Sequence, residues 1–361
     1  MEGQKVSKNL IQKWLNSAKW SASGGNSQPW KVEYSIHSEK VDIFLTIDPM
    51  YKEQRWSPMD VEGMASTMAL GALTFGLEVS AAHDAFTLSN IQYNVGQTFW
   101  KSEIVLSFIP ATGLSCKYSI DDLILRRTNR FKFKTTELPE SLKIMLATIV
   151  DKWNSQLILS DLTPYKNELI ENLVHLERLR WEDHLYLNSL LEEISFSKEN
   201  KFGIPADQLG VSFIDQQLLK LNCKYLKLRS IFNFGGQYIS SFQNFTNPIK
   251  NSGGIFFIQA KTKTLEACFL LGYSFQEVWT VLNKEKYGFQ PISVPFIAQG
   301  LLKKVNLLEK QALAYNSANN FFSSKLNMDI NLPMIGFRTG LPTVEVGKSP
   351  RKDIELVGKA I

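Results

Sequence analysis

Apolar positions along the chain set out a run of alternating helices and strands. Over residues 6–19 they fall at Leu10, Ile11, Trp14, Leu15 and Ala18, the steps of one helix face, so the spacing predicts an amphipathic helix. WKVEYSI (30–36) and VDIFLTI (41–47) read as two short strands with HSEK as the polar turn between them. A long Ala-, Gly- and Leu-rich stretch, 57–83, predicts a buried helix, capped by Ser57 or Asp60 with Pro58 in its first turn. FTLSNIQYNV and SEIVLSFIP read as further strands, and a first half ends near Gly113.

Residues 121–130 predict a helix that finishes in the basic run RRTNRFKFK. Helical stretches of mixed charge follow at 138–153 and 164–194, then a loop, FSKENKFGIPADQLG, and a segment, 211–252, assigned to helix. GGIFFIQA reads as a buried strand, and residues 262–288 as a second long apolar helix stopped by Gly288. FQPISVPFI is extended, 305–320 helical and NLPMIGFRTG a strand. The two halves echo each other. In each, an apolar strand precedes a long apolar helix with a glycine in its middle, Gly71 in MALGAL and Gly272 in FLLGYS. The expected fold class is therefore α+β, with two related halves, 1–113 and 114–361, packed as an internal pseudo-dimer.

Composition is that of an ordinary globular protein, with 44% hydrophobic and 21% charged residues, and 361 residues suffice for two domains or halves. A net charge of +5 over this length calls for no nucleic acid; a small anionic ligand would be enough to use it. The first sixteen residues carry no apolar signal-peptide core, and no run reaches a membrane span, so no membrane partner and a cytoplasmic location are expected. Three widely spaced cysteines form no framework, and the four histidines show no metal spacing, so no metal is expected.

Four stretches carry chemistry. SASGGNSQPW (21–30) packs small hydrogen-bonding residues into a turn, which suits either a plain loop or a backbone that approaches a polar ligand closely. RRTNR (126–130) reads either as a solvated helix end or as a phosphate grip, since arginine offers a planar fork and Thr128 a hydroxyl. GFQPISVP (288–295) holds two prolines and cannot be a central strand, so its backbone groups are free to face something else. FRTG (337–340) and KSPRK (348–352) add cations near the end.

Together, in this order, these stretches resemble the FMN-dependent nitroreductases over about residues 5–355. SASGGNSQPW resembles that family's Asn-x-Gln-Pro-Trp loop, RRTNR its Arg-Arg-Ser-x-Arg motif, YGFQPISVP the segment beside the flavin N5 edge, and GKSPRK the basic C-terminal clamp. The loop precedes the arginine motif here, the reverse of the usual order, and each occurs once. This arrangement is similar to the tandem, Acg-type branch and to nitroreductase-like domains fused to ThiF-like adenylating domains. It implies a nitroreductase-like fold with one complete FMN site between the halves, and a second, symmetry-related site left empty.

By that resemblance Ser23 and Asn26 contact the flavin, while Gln28 and Trp30 hold the loop and pack the core. Arg126, Arg127 and Thr128 bind the phosphate end, and Arg130 lies by the N1/O2 edge. Gln290, Pro291, Ile292 and Ser293 pass near N5, and Lys348, Arg351 and Arg338 complete the clamp. The implied activity is FMN-dependent oxidoreduction of a small-molecule substrate, with NAD(P)H as a candidate donor. The internal pseudo-dimer would make a monomer self-sufficient. Two other readings stay open: an FMN-storing protein in which residues 164–243 form a lid, and a biosynthetic dehydrogenase acting on a peptide or amino-acid intermediate.

Overall fold

The structure is a computed structural model and describes residues 6–38, 40–50, 59–197, 199–224, 242–295, 299–300 and 309–359. It is a mixed α+β fold built on two main sheets. Helix α1 (Lys8–Ala18) buries the five residues its spacing selects, and Ser7 caps it by accepting from the Leu10 amide. Strands β1 (Trp30–Ile36) and β2 (Val41–Ile47) pair antiparallel in full register around the 37–40 turn. Trp14 of α1 sits between Phe86 and Phe108, with ring centroids 5.2 and 5.6 Å away, and so docks α1 on this sheet.

The first long helix, α2, runs Met64–Ala82, and Ser57 and Pro58 lie outside the described residues. Asp60 does serve its start, accepting from the amides of Ala65 (2.7 Å) and Ser66 (3.2 Å). β3 (Phe86–Asn94) and β4 (Glu103–Pro110) complete the antiparallel part of the sheet. Its fifth strand, β11 (Leu356–Gly358), comes from the far end of the chain and lies parallel to β1. Residues 61–82 are long and apolar enough, by length and composition, to cross a membrane, but here they are buried in the core.

Helix α3 (Ile120–Ile124) is shorter than its expected span and stops before the arginines. The run leaves helical geometry because tertiary partners claim its backbone: the Arg127 amide donates to Asn283 Oδ1 and the Asn129 amide to Phe289 O. The next helix, α4, is Glu140–Asp151, and β5 is Leu157–Asp161. The stretch expected as one helix over 164–194 is two, α5 (Lys166–Glu182) and α6 (His184–Glu192). Asp183 breaks it, because its extended backbone and its side chain cap α6. β6 (Ile194–Ser195) and β7 (Ile204–Pro205) form a small parallel pair. Helix α7 (Phe213–Lys224), a π-turn at Phe242–Thr246 and α8 (Asn247–Lys250) make up the described part of 211–252.

The second sheet has the order β5-β8-β10-β9, with β8 Gly254–Ala260, β9 Gly288–Ile292 and β10 Met334–Gly340. β8 is buried along its whole length, because both faces are covered. Phe256, Ile258 and Ala260 enter the main core, and Ile255 and Phe257 enter a second core shared with α5 and α10 (Glu309–Leu326). Residues 305–308 of the expected last helix lie outside the described residues. β9 is an edge strand, as Pro291 requires. Gly288 does not stop the second long helix, α9 (Leu265–Lys284). It opens β9, and Lys286 makes the turn with φ of 63°.

α2 and α9 cross at the two glycines of the echo. A Cβ on Gly71 would fall 1.9 Å from Phe269 O, and one on Gly272 would fall 1.8 Å from Met68 O. Each glycine faces the carbonyl three residues before the other, a local two-fold relation. Gly71→Ala and Gly272→Ala should each destabilise the protein by about 2–3 kcal/mol or more, since rigid backbone meets the new methyl. Gly24→Ala, with nothing within 4 Å, should change stability by less than about 0.5 kcal/mol. Urea unfolding of the three variants checks this; equal midpoints would contradict it.

Candidate functional site

A cavity of about 440 Å³ opens where α2 and α9 meet the 22–26 loop, the arginine run, β9 and the tail. This is the size of an ordinary small-molecule site. Ser23, Asn26, Arg126, Thr128, Arg130, Gln290, Pro291, Ile292, Ser293 and Arg351 all line it. Four segments far apart in sequence thus converge on one space.

The loop is held from within. Gln28, fully buried, donates to Asn26 O and Lys201 O and accepts from the Lys352 amide, while the Gln28 amide donates to Ser23 Oγ. Asn26 (φ 58°) and Gln28 (φ 53°) take left-handed backbone, which lets the loop bend back on itself. Trp30 is buried in the core. Asn26 Nδ2 donates to Gly203 O and Pro350 O, and its buried Oδ1 has no partner among the described residues.

One end of the cavity is cationic. Arg126 is buried, donates to Trp20 O (2.9 Å) and Ser21 O (3.4 Å), and lies 4.2 Å from the Trp279 ring centroid. Burial, and then the charge of Arg351, pull its pKa well below the usual guanidinium range. Arg351 donates to Ser349 O and Pro350 O, keeps a buried Nε with no partner among the described residues, and is pulled down to about 10 by burial. Arg130 is also lowered to about 10 by burial, against which the charge of Glu193 favours its cation. Its Nη1 donates to Gln208 O.

Three of the thirteen expected residues stand outside the lining. Arg338, 1% exposed, is consumed in the fold: it donates to Gln290 Oε1, Pro248 O and Phe131 O and stacks on Phe133. Burial, and then Arg130, lower it to about 9. Arg127 turns to the tail, donating to Val346 O, and its carbonyl accepts from Trp279 Nε1. Lys348 places its ammonium 5.2 Å from the Trp20 ring centroid, and its carbonyl accepts from Gln208. These cations brace the segments that carry the lining residues.

Sequence reasoning missed Met68, Ala69 and Ala72 of α2, and Gly272, Phe275 and Trp279 of α9, which line the cavity. The small residues among them were a signal, since Ala and Gly inside an apolar helix leave volume beside it. It also missed the contributions of Trp181, Glu193 and Asp215, for which the sequence holds no signal. Among the described residues no group of His, Cys, Asp and Glu could hold a metal ion.

Residues 201–210 lie over the cationic end. Besides their bonds to Asn26, Gln28 and Arg130, Gln208 donates to Lys348 O and accepts from Ser349 Oγ. The 22–26 loop, the arginine run and the tail are therefore tied to this strap.

A side pocket of about 50 Å³ shares Gly24, Met59, Ala65 and Glu193 with the main cavity and is walled by Asp60. Burial pushes the Asp60 carboxyl up to about 6, against the hydrogen bonds from Ser66 and Ala65. The folded protein then holds this proton more tightly than the unfolded chain. Its stabilising effect is full below about pH 4 and lost as pH rises through about 6, on the order of 2–3 kcal/mol. The stability difference between wild type and Asp60→Asn should therefore shift in favour of the variant by that amount from pH 4 to pH 7. Urea titrations at both pH values read it, and a constant difference would refute it.

No protein-family profile matches the chain, and no curated protein matches it in sequence.

Proposed function

We propose that this chain is an FMN-binding oxidoreductase of nitroreductase type, a cytoplasmic monomer whose two halves pack as an internal pseudo-dimer around one flavin. The observation that carries the reading is the meeting of two guanidiniums, the buried Arg126 and the half-buried Arg351, in one cavity lined also by Ser23 and Thr128. Both arginines hydrogen-bond only to backbone carbonyls among the described residues, and the charge of Arg351 adds to the cost of burying that of Arg126. A bound dianion such as the FMN phosphate would relieve both.

When bound, FMN supplies hydride exchange with a donor such as NAD(P)H and with an acceptor substrate. The protein's part is to bind, orient and tune. Arg126, Arg351, Ser23 and Thr128 would hold the phosphate end. Arg130, kept cationic beside Glu193, would stabilise negative charge at the ring's N1/O2 edge. Ile292 and Ser293, at the end of an edge strand, would offer backbone groups near N5. Asn26 Oδ1, without a partner among the described residues, would accept a hydrogen bond from the ligand.

One site per chain is supported by the local two-fold of the helix crossing. Met68, Ala69 and Ala72, which line the cavity, correspond across it to Phe269, Leu270 and Tyr273 of α9. Those three are buried, and Tyr273 bonds Glu78 and packs edge-on to Trp153 and Phe75. The equivalent space is filled by side chains.

The strap over the cationic end favours a second reading, in which the flavin is stored and not turned over. Reduction of the bound flavin by NADH or NADPH decides between the two.

The purified protein should carry, or take up, about one FMN per chain, read by visible absorption and released flavin. No uptake would sink both readings, and two per chain would sink the single site. Arg351→Met should weaken FMN binding about 10- to 100-fold, the worth of a charge-assisted hydrogen bond. Fluorescence titration measures it, and unchanged affinity would remove Arg351 from the clamp.

A further inference from the structure

The cavity has a second character away from its arginines. There α6, the start of β6 and α7 supply the wall, and the wall is mostly aliphatic: Leu190, Leu191, Ile194, Leu218 and Leu219, with Phe245 at its base. The charged groups on this side already have work within the fold. Asp215 accepts from Ser212 Oγ (2.6 Å) and Gln243 Nε2 (2.7 Å) while its amide donates to Ser212 Oγ, the reciprocal cap that starts α7. These hydrogen bonds, that of Ser212 foremost, hold its carboxyl below the usual range. Glu193 lends its charge to Arg130.

A charged ligand group on this side would therefore displace existing bonds. An apolar one would displace none, and it would recover the dispersion contacts that walls facing open space forgo. The wall's outer residues differ from its base. Leu191 and Phe245 are buried, whereas Leu190 and Leu219 are half-buried and Leu218 is 39% exposed, so the wall runs from the core to the mouth. Trp181 shares the lining, but its indole N–H is committed to Glu177, which leaves only its apolar surface to a ligand.

We infer that the leucine-lined side of the cavity is a binding site for an uncharged aliphatic chain, the tail of a substrate whose reactive end reaches the Ile292–Ser293 wall. The tail site stands on the lining alone; the role of the reactive end rests on the flavin reading. It narrows the acceptor to a molecule with a neutral alkyl, acyl or isoprenoid-like segment.

The test is a titration of the FMN-loaded protein with neutral n-alkanols from hexanol to decanol, read by tryptophan fluorescence, since Trp181 and Trp279 line the cavity. Binding should saturate, tighten about fourfold per added methylene, and leave the flavin in place. Leu219→Gln and, separately, Leu190→Gln should each weaken decanol at least fivefold, with FMN affinity within twofold of wild type. Both positions are half-buried, so neither variant needs the core to repack. Displacement of FMN by decanol would overturn the inference, because the leucines would then serve the flavin ring. Equal affinity across the series, or decanol binding untouched by both variants, would overturn it as surface association. Should the protein take up no flavin, the same titration on the flavin-free chain still reads the leucine wall, so failure of the flavin reading and failure of this one are told apart.

Discussion

The structure depends on the approach of two helices with no side chain between them. Gly71 and Gly272 bring α2 and α9 so close that each backbone touches the other's carbonyl. That contact fixes the spacing of everything attached to the helices. α1 and the first sheet rest on α2 through the main apolar core, β8 and β10 rest on α9 through the same core, and β11 returns from the end of the chain to extend the first sheet. The tail carrying Arg351 precedes β11, so the strand that closes the first sheet also holds the last cation at the cavity. A methyl at either glycine would move both sheets relative to each other, and with them the four segments that converge on the site.

Electrostatics follow from this geometry. Arg126 is out of water, which pulls its pKa down, and its partners work in the other direction. The carbonyls of Trp20 and Ser21 that take its hydrogen bonds come just after the C-terminus of α1, where the helix dipole favours a cation. The Trp279 ring gives it a negative face. The outer arginines, Arg127 and Arg338, and Lys348 serve a different end: they spend their donors or their charge on backbone and rings that position the lining. Cations that look alike in sequence thus divide into those that face the cavity and those that build its walls.

Much of the local structure was legible because it depends on neighbours in sequence. The five buried residues of α1, the β1–β2 hairpin and the edge position of β9 follow from periodicity, a polar turn and Pro291. What failed depended on distant partners. RRTNR has the composition of a helix end, but Asn283 and Phe289, more than 150 residues on, draw its backbone out of the helix. By resemblance Arg338 belongs to the phosphate clamp, and only the β9–β10 register reveals that it faces Gln290 across a buried sheet. The sequence suggested a lid somewhere in 164–243 but not its contacts: nothing local in residues 201–210 says that they bond to a loop at residue 26, or that Leu190, Leu191, Leu218 and Leu219 share one wall. The glycine echo was legible as a pattern, while its meaning, reciprocal contact, needed three dimensions.

One chain allows what a symmetric pair of chains forbids. Where two identical subunits cross on a two-fold axis, every substitution appears on both sides. Here the two helices differ in sequence, and the difference falls where the cavity is. α2 presents Ala69 and Ala72, and space remains; α9 presents Leu270 and Tyr273 at the corresponding places, and the space is packed. Trp279 stands beside Arg126 on one side, and Glu78 beside Tyr273 on the other. The packed side stiffens the crossing through Trp153, Phe75 and the Tyr273–Glu78 bond, while the open side keeps the volume a ligand needs. On the reading proposed above, the loss of one site is therefore also the support of the other. Stability and binding, which compete when a cavity is cut into a core, are assigned to opposite sides of the same pair of helices.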